Sequence, residues 1–190
     1  MNELLRPAST LLMAMTVITG VIYPLAVTGV SQAAFTHTAN GSVIVHNGKP
    51  LGSELIGQAF TDPKYFWSRP SATAPFADNP SASGASNLGP NNTALTDAVK
   101  QRIEALRAAD PGNTAPVPVD LVTASGSGVD PHISPAATQY QLARVARTRG
   151  MTVDAVSRLV DQATEGRQFA FLGEPRVNVL KLNLLLDGRW

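Results

Sequence analysis

The longest apolar stretch of the chain lies near its amino terminus and runs from about Pro7 to Val30, PASTLLMAMTVITGVIYPLAVTGV, with no charged residue. Arg6 precedes it, and the next charged residue is Lys49. A bilayer hydrocarbon core about 30 Å thick is crossed by about 20 apolar residues that each rise about 1.5 Å along a helix. Leu11 to Val30 supplies that length without the central Arg or Asp that would cost about 3 kcal/mol. Residues 1–30 therefore predict an amino-terminal transmembrane anchor.

Two other interpretations compete with a retained anchor. A buried soluble helix of this length would leave apolar surface exposed on most of its faces in a small domain. A cleaved signal peptide is the stronger competitor, because Ser31-Gln32-Ala33 offers a small-x-small cleavage pattern. The apolar region, however, exceeds the roughly 7–15 residues of a signal core. We therefore expect the segment to remain as an anchor.

The charges that flank the stretch predict its orientation. Arg6 and the amino terminus precede it, Glu3 partly offsets them, and no Lys or Arg follows until Lys49. The positive-inside tendency then places the amino terminus in the cytoplasm and the rest of the chain outside. Residues 31–41 are small and polar and predict a short tether, and residues 42–190 predict one extracytoplasmic domain.

Composition excludes several classes of protein. The formal net charge of +1 leaves no basic surface for nucleic acid, so no nucleic-acid partner is expected. The chain has no cysteine, which rules out disulfides and thiolate metal sites. His37, His46 and His132 show no HxxxH or HExxH spacing, so no metal site is predicted.

Local signals in the domain predict a mixed α+β fold. SVIVH (residues 42–46) is β-branched, Asn47-Gly48 is a strong hairpin turn, and a return strand is expected near residues 51–56. Residues 60–93 are rich in Pro, Ser, Gly and Asn, yet they contain five aromatic rings. This composition favours an ordered, irregular loop that packs on the domain or on a partner over a disordered linker.

Several further elements are expected in the second half of the chain. Asn92 or Thr93 should cap a helix that runs to about Ala109. Ser134 should cap a second helix, which begins at Pro135 and ends near Gly150. Thr152 should cap a third helix, which ends at Gly166. Strands are predicted within residues 116–125 and 169–173. Residues 177–187 fit a helix or a strand, and their leucine content and Pro175 favour a helix that starts at Pro175.

The stretch from Ser125 to Pro135, SGSGVDPHISP, contains the residue types of a catalytic site. One alternative function is a membrane-tethered extracytoplasmic hydrolase that uses Ser125 or Ser127 together with Asp130 and His132. Another is a ligand-binding module that uses the Ser125–His132 loop. The G-x-S-x-G pattern of a nucleophile elbow is absent, and triad members rarely come from one short loop. A shaped loop, in which Gly126 and Gly128 permit tight turns and Asp130 bonds backbone N–H groups, is the favoured interpretation.

Five segments, spread in order over nearly the whole chain, resemble one known family. They are GSELIGQ (52–58), YFWSRPSA (65–72), SNLGP (86–90), VPVDLVTASGSGVDPHISP (117–135) and FLGEPRVNV (171–179). With them the sequence is similar to the C subunit of the Kdp-type potassium-transporting P-type ATPase. It departs from the expected pattern at Ala85 and Thr93, where Gly and Pro would be usual.

The resemblance implies a non-catalytic accessory subunit of a high-affinity potassium uptake pump in the bacterial inner membrane. In such a complex a catalytic P-type subunit carries the phosphorylated Asp and handles ATP, and a channel-like subunit carries potassium. The resemblance implies that the C chain stabilises the complex, and a role in raising the ATP affinity of the catalytic subunit has been proposed for the family. This chain has no DKTG sequence and is expected to hold no cofactor of its own.

Two sets of residues are predicted to contact partners. In the anchor, the small or helix-bending residues recur every fourth position and share a face. In the domain, the contact surface is the special loop described above. The predicted contact residues are Thr16, Gly20, Pro24, Ser125, Gly126, Ser127, Gly128, Asp130 and His132.

Overall fold

The computed structural model describes residues 2–190, so the predicted charge of the amino terminus at Met1 lies outside the described residues. The described residues up to Val43 form one compact unit, and Ile44–Trp190 form a second. The chain is α+β, with one amino-terminal apolar helix and small antiparallel sheets among the later helices.

The amino-terminal unit is dominated by one long helix. It consists of α1 (Asn2–Val17), a π-helical segment (Ile18–Ile22) and α2 (Tyr23–Ala34). The helical span Glu3–Ala34 has 32 residues and is long and apolar enough to cross a membrane. At about 1.5 Å per residue it is about 48 Å long, more than a bilayer core requires. A short helix, α3 (Thr36–Ala39), occupies most of the remaining segment predicted as a tether.

A hairpin opens the second region of the chain. Strands β1 (Val43–His46) and β2 (Lys49–Ser53) pair with each other, and Asn47 and Gly48 both have positive φ, as the turn prediction requires. The return strand thus begins two residues earlier than expected. Its second residue is Pro50, which a two-stranded hairpin accommodates because one side of each strand has no neighbour.

The main core is built around α5 (Pro135–Arg149), α6 (Val153–Ala163) and α7 (Val179–Leu186). A three-stranded antiparallel sheet of order β3-β5-β4 packs with them, where β3 is His132–Ile133, β4 is Thr164–Glu165 and β5 is Arg176–Asn178. Ile133 pairs with Val177, and Thr164 pairs with Val177 from the other side. This register buries Val177, the one apolar residue of the central strand, in the core that the helices form.

Helix caps agree closely with the sequence predictions. Asn92 caps α4 (Thr93–Ala109), and Ser134 and Thr152 cap α5 and α6, each accepting a hydrogen bond from a backbone N–H of the first turn. Gly150 ends α5 in the left-handed conformation, with φ of +64°. These ends depend on side chains within a few residues, which is why the sequence predicts them well.

Four of the expected elements are wrong or shifted. Residues 116–125 form a 3-10 turn at Val119–Leu121 and not a strand, and residues 169–173 form turns joined by one isolated bridge. The third predicted helix ends at Ala163, because residues 164–165 pair into the sheet. The last helix starts at Val179, since residues 176–178 are taken up as the central strand of that sheet.

Candidate functional site

The loop from Ser125 to Pro135, called here the 125–135 loop, is closed by its own serines. Ser125 is buried, and its Oγ accepts a hydrogen bond from the N–H of Gly128 at 2.8 Å. The Oγ of Ser127 accepts from the N–H of Val129 at 3.3 Å and lies 3.4 Å from that of Ser125. Within residues 2–190, neither hydroxyl is hydrogen bonded to a histidine. The serines therefore shape the loop and lack the base that a nucleophile requires.

Gly128 fits a position that no other residue would occupy without strain. Its φ is +71°, and a Cβ added there would lie 2.5 Å from Cγ2 of Thr73 and 3.1 Å from the carbonyl oxygen of Gly84. Gly126 differs, because a Cβ there would meet open space and its φ is outside the left-handed region. The predicted need for glycine is thus met at Gly128 alone.

The long irregular segment of residues 60–92 packs on the 125–135 loop, as predicted for an ordered excursion. The hydroxyl of Ser71 donates to the carbonyl oxygen of Gly128 at 2.5 Å. Ser83 Oγ and the N–H of Gly84 both donate to the carbonyl oxygen of Ser127, at 2.8 and 3.1 Å. Two stretches that are distant in sequence therefore form one continuous surface.

Asp130 adds a further link between the same two stretches of the chain. Its Oδ1 accepts from the backbone N–H of His132 at 3.0 Å, which confirms the predicted bond within the loop, and its Oδ2 accepts from Nη1 of Arg69 at 3.0 Å. Burial raises the pKa of Asp130, but the hydrogen bonds from His132 and Arg69 outweigh burial and lower the pKa overall. Asp130 is therefore an ionised carboxylate that holds the loop closed.

His132 lies between two carboxylates at the mouth of a cleft. Its Nδ1 is 3.5 Å from Asp130, and its Nε2 is 4.0 Å from Glu165 on β4. The cleft has a volume of about 370 Å³, and charged side chains of both signs line it, including Asp120 and Arg176.

Asp78 is the carboxyl group with the least favourable surroundings in this region. It is buried against Gly57, where an added Cβ would lie 2.8 Å from Oδ1 of Asp78. Burial raises its pKa, and the nearby negative charge of Asp130 raises it further. No hydrogen bond to its carboxylate oxygens is present among residues 2–190 to offset these effects. The pKa of Asp78 is therefore raised, whereas that of Asp130 is lowered.

A buried polar clamp holds the YFWSRPSA segment in place behind this surface. The amide of Asn183 accepts from the N–H of Phe66 and donates to its carbonyl oxygen, both at 2.9 Å. The amide of Gln141 does the same for Trp67, at 2.8 and 3.1 Å. Arg144 donates to Gln141 and stacks on the Trp67 ring, and burial lowers its pKa to about 10. Each side-chain amide therefore bonds one backbone N–H and one carbonyl oxygen of the irregular segment, as a neighbouring β-strand would do.

Sequence reasoning did not identify this clamp or the contact between Arg69 and Asp130. Asn183, Gln141 and Arg144 do lie on helix positions whose neighbours are apolar, which is the one signal of a buried polar network in the sequence. The partners, however, are 61 to 117 residues apart, so a single sequence does not reveal their pairing.

The predicted contact face of the anchor lies across the π-helical segment. Thr16 belongs to α1, Gly20 to the π segment and Pro24 to the first turn of α2. Pro24 has no N–H and crowds the carbonyl of Gly20 four residues earlier, and the N–H of Tyr23 bonds the carbonyl of Ile18 in the wider i to i−5 pattern. A Cβ added at Gly20 would have no atom of this chain within 4 Å.

Among residues 2–190, no group of three or more His, Cys, Asp and Glu side chains could hold a metal ion. The region around the 125–135 loop is a polar surface shaped by two segments that are distant in sequence.

Comparison with known proteins gives consistent matches over nearly the whole chain. A family model described as "KdpC: K+-transporting ATPase, c chain" matches residues 5–188. A protein from Methylococcus capsulatus, named potassium-transporting ATPase KdpC subunit, is 66% identical over 183 residues, which cover 96% of each chain. Proteins of the same name from Polaromonas naphthalenivorans and Variovorax paradoxus are 64% and 63% identical over 188 residues. These alignments cover 99% of this chain and 96% and 97% of those proteins.

Proposed function

This chain belongs to the KdpC family, the c chain of the K+-transporting ATPase, and on that premise we propose that it is a non-catalytic accessory subunit that stabilises the assembled complex. The observation that carries the proposal is the use of the chemically reactive residues within the fold. Ser125, Ser127 and Asp130 each accept hydrogen bonds from the backbone of their own loop. Held in this way the three groups shape the loop, and neither serine hydroxyl is hydrogen bonded to a histidine base within residues 2–190.

The proposed partners are a catalytic P-type subunit and a potassium-carrying, channel-like subunit of the same membrane complex. This chain has no DKTG sequence, so the phosphorylated Asp of a P-type cycle would belong to the catalytic partner. ATP and potassium would likewise be handled by the partners. The anchor helix and the 125–135 surface supply two separate regions of the chain for such contacts.

The soluble region is proposed to lie on the extracytoplasmic side of a bacterial inner membrane. Arg6 precedes the apolar helix, whereas no Lys or Arg follows it before Lys49. In this orientation the domain would meet no cytosolic ATP. Any increase in the ATP affinity of the catalytic subunit would then be transmitted as coupling free energy through the complex.

The test of orientation uses two reporters fused after Trp190. A reporter that is active only outside the cytoplasm should be active, and a reporter active only in the cytoplasm should be silent. The opposite pattern would overturn the proposed orientation.

The test of the accessory role compares the complex purified with and without this chain. Omission should reduce recovery of the other subunits as one complex and abolish potassium-stimulated ATP hydrolysis. Ser125→Ala and Ser127→Ala should retain most of both properties, because each removes one hydroxyl. A serine variant that assembles normally yet has no activity would favour the hydrolase hypothesis instead.

A further inference from the structure

A small pocket lies between the irregular segment, helix α4 and the 3-10 turn that follows it in the chain. We call it the Asp78 pocket, and it is lined by residues 59–60, 67–71 and 77–78 and by Arg102, Leu106 and Leu121. Its volume is about 220 Å³. Because a cavity of about 150 Å³ holds a benzene molecule, this pocket has room for about nine non-hydrogen atoms. Its size therefore suits a small organic molecule.

Apolar side chains supply much of the wall of the Asp78 pocket. Phe60 and Trp67 come from the irregular segment, Leu106 from α4 and Leu121 from the 3-10 turn. All four belong to the main core or pack against it, so the fold holds the wall in place before any ligand arrives. Sites for small molecules commonly combine such a preformed apolar wall with a few polar groups that orient the ligand.

Most polar side chains of the pocket are already used by the fold. Ser68 and Ser71 donate their hydroxyl hydrogens to backbone carbonyl oxygens, at 2.9 and 2.5 Å. Trp67 donates its ring N–H to another carbonyl oxygen at 3.1 Å, and Arg69 bonds Asp130 at 3.0 Å. Two further charged side chains line the pocket, and the fold leaves both without a partner of opposite charge.

These two side chains are Asp78 and Arg102. Asp78 is only 8% exposed, whereas Arg102 is half-buried and donates one hydrogen bond, from Nη1 to the carbonyl oxygen of Val122 at 2.8 Å. Among residues 2–190 neither forms an ion pair, with the other or with any other side chain. Burial raises the pKa of Asp78 and lowers that of Arg102, and no opposite charge offsets either shift. The pocket thus holds one unpaired acid and one unpaired base.

The backbone keeps Asp78 in this unfavourable place. Its φ is +56°, and its N–H donates to Oγ of Ser71 at 2.8 Å. The N–H of the next residue, Asn79, donates to Oγ1 of Thr73 at 3.0 Å. A left-handed backbone is uncommon for a residue with a Cβ, although Asp tolerates it better than most. A buried carboxyl group held there without a partner points to a use beyond the fold.

We propose that the Asp78 pocket binds a small aliphatic α-amino acid, whose ammonium group bonds Asp78 and whose carboxylate bonds Arg102. The aliphatic side chain of the ligand contacts the apolar wall. This zwitterion pairs both charges of the pocket at once, whereas a simple amine, a simple acid or an inorganic ion leaves one of them unpaired. The inference goes beyond the proposed function and requires no partner subunit.

Ligand titration of the isolated full-length chain in detergent tests the proposal, by calorimetry and by the midpoint of thermal unfolding. Valine is the probe, isovalerate lacks only its amino group, and isobutylamine lacks only its carboxylate. Valine should bind at least about tenfold more tightly than either analogue, because each analogue loses a hydrogen bond to a charged group. The proposal is overturned if millimolar valine does not bind, or if either analogue binds as tightly as valine.

Variants assign the two ends of the ligand. Asp78→Asn should weaken valine binding at least about tenfold and leave isovalerate binding unchanged. Arg102→Gln should weaken valine binding equally and leave isobutylamine binding unchanged, a crossover that a general loss of folding does not produce. Lys100→Gln is the matched control, because Lys100 is an exposed cation of α4 outside the pocket, and it should bind valine as the parent chain does.

Full retention of valine binding by either pocket variant would refute the assigned contacts. For a variant that fails to fold, the comparison of valine with its two analogues on the parent chain decides the question. Because every titration uses the isolated chain, a negative result would count against the pocket and not against the accessory role in the complex.

Discussion

Replacing Gly128 by alanine should destabilise the fold through two separate effects. The φ of +71° would cost a residue with a Cβ about 1–2 kcal/mol. The new Cβ would also lie 2.5 Å from Cγ2 of Thr73, and such overpacking typically costs about 1–3 kcal/mol. The free energy of unfolding should therefore fall by about 2–5 kcal/mol, a large share of the roughly 5–15 kcal/mol of a typical domain. Gly128→Val should be more severe, since its branched side chain adds further clashes.

The assay is denaturant unfolding of the full-length chain in detergent, followed by tryptophan fluorescence. Gly126→Ala is the matched control, because its Cβ would meet open space, and it should change the free energy of unfolding by less than about 1 kcal/mol. Thr73→Ser provides a second comparison. It removes Cγ2 but keeps the Oγ1 that bonds the backbones of Phe76 and Asn79.

The double variant separates the two effects. In the Gly128→Ala background, Thr73→Ser should restore about 1–2 kcal/mol, while the backbone strain of about 1 kcal/mol or more remains. Equal stability of the Gly128→Ala and Gly126→Ala variants would refute the reasoning. So would a double variant no more stable than Gly128→Ala, because the clash with Thr73 would then not contribute.

Three further predictions address charge, the buried clamp and the anchor. Asp78→Asn should stabilise the chain at pH 7 and Asp130→Asn should destabilise it in denaturant titrations. The pKa of Asp78 is raised in the folded state, so its contribution to stability is greatest below the ordinary pKa of 3.8 and is lost as pH rises through the folded pKa. The pKa of Asp130 is lowered in the folded state, so its contribution is present above 3.8 and is lost as pH falls through the folded pKa. Both differences should therefore shrink towards pH 3, and pH-independent differences would contradict the assigned charge states. Asn183→Leu should lower the free energy of unfolding by about 2–4 kcal/mol, because two buried backbone groups lose their partner, and an effect below about 0.5 kcal/mol would contradict the clamp. Gly20→Leu should weaken co-purification with the transport subunits more than Val17→Leu does, and equal effects would remove the case for a specific helix face.

Short-range signals account for the parts of the structure that the sequence predicted well. The caps at Asn92, Ser134 and Thr152 and the left-handed glycine that ends α5 depend on atoms within one helical turn. The Asn47-Gly48 turn depends on the φ preferences of two residues. For the candidate site, the sequence indicated the loop, its closure by Asp130 and the need for glycine at position 128. It did not indicate which distant segments the loop would contact.

The wrong predictions concern places where pairing between distant residues decides the backbone. Residues 176–178 could have begun a helix, but they form the middle strand because β3 and β4 offer hydrogen bonds on both sides. Residues 169–173 have the composition of a strand, yet the chain turns there to let β4 and β5 run antiparallel. Neither partner is visible in the local sequence.

The sequence by itself determined the apolar helix, the α+β class, the helix caps and the family of this protein. Each follows from the identity of residues that are close together in the chain or from segments that match in order. The tertiary structure alone decided that Asn183 and Gln141 hold the YFWSRPSA segment and that Arg69 pairs with Asp130. The physical reason is that an irregular backbone must find hydrogen-bond partners wherever the fold supplies them, and these partners are set by packing across the whole domain.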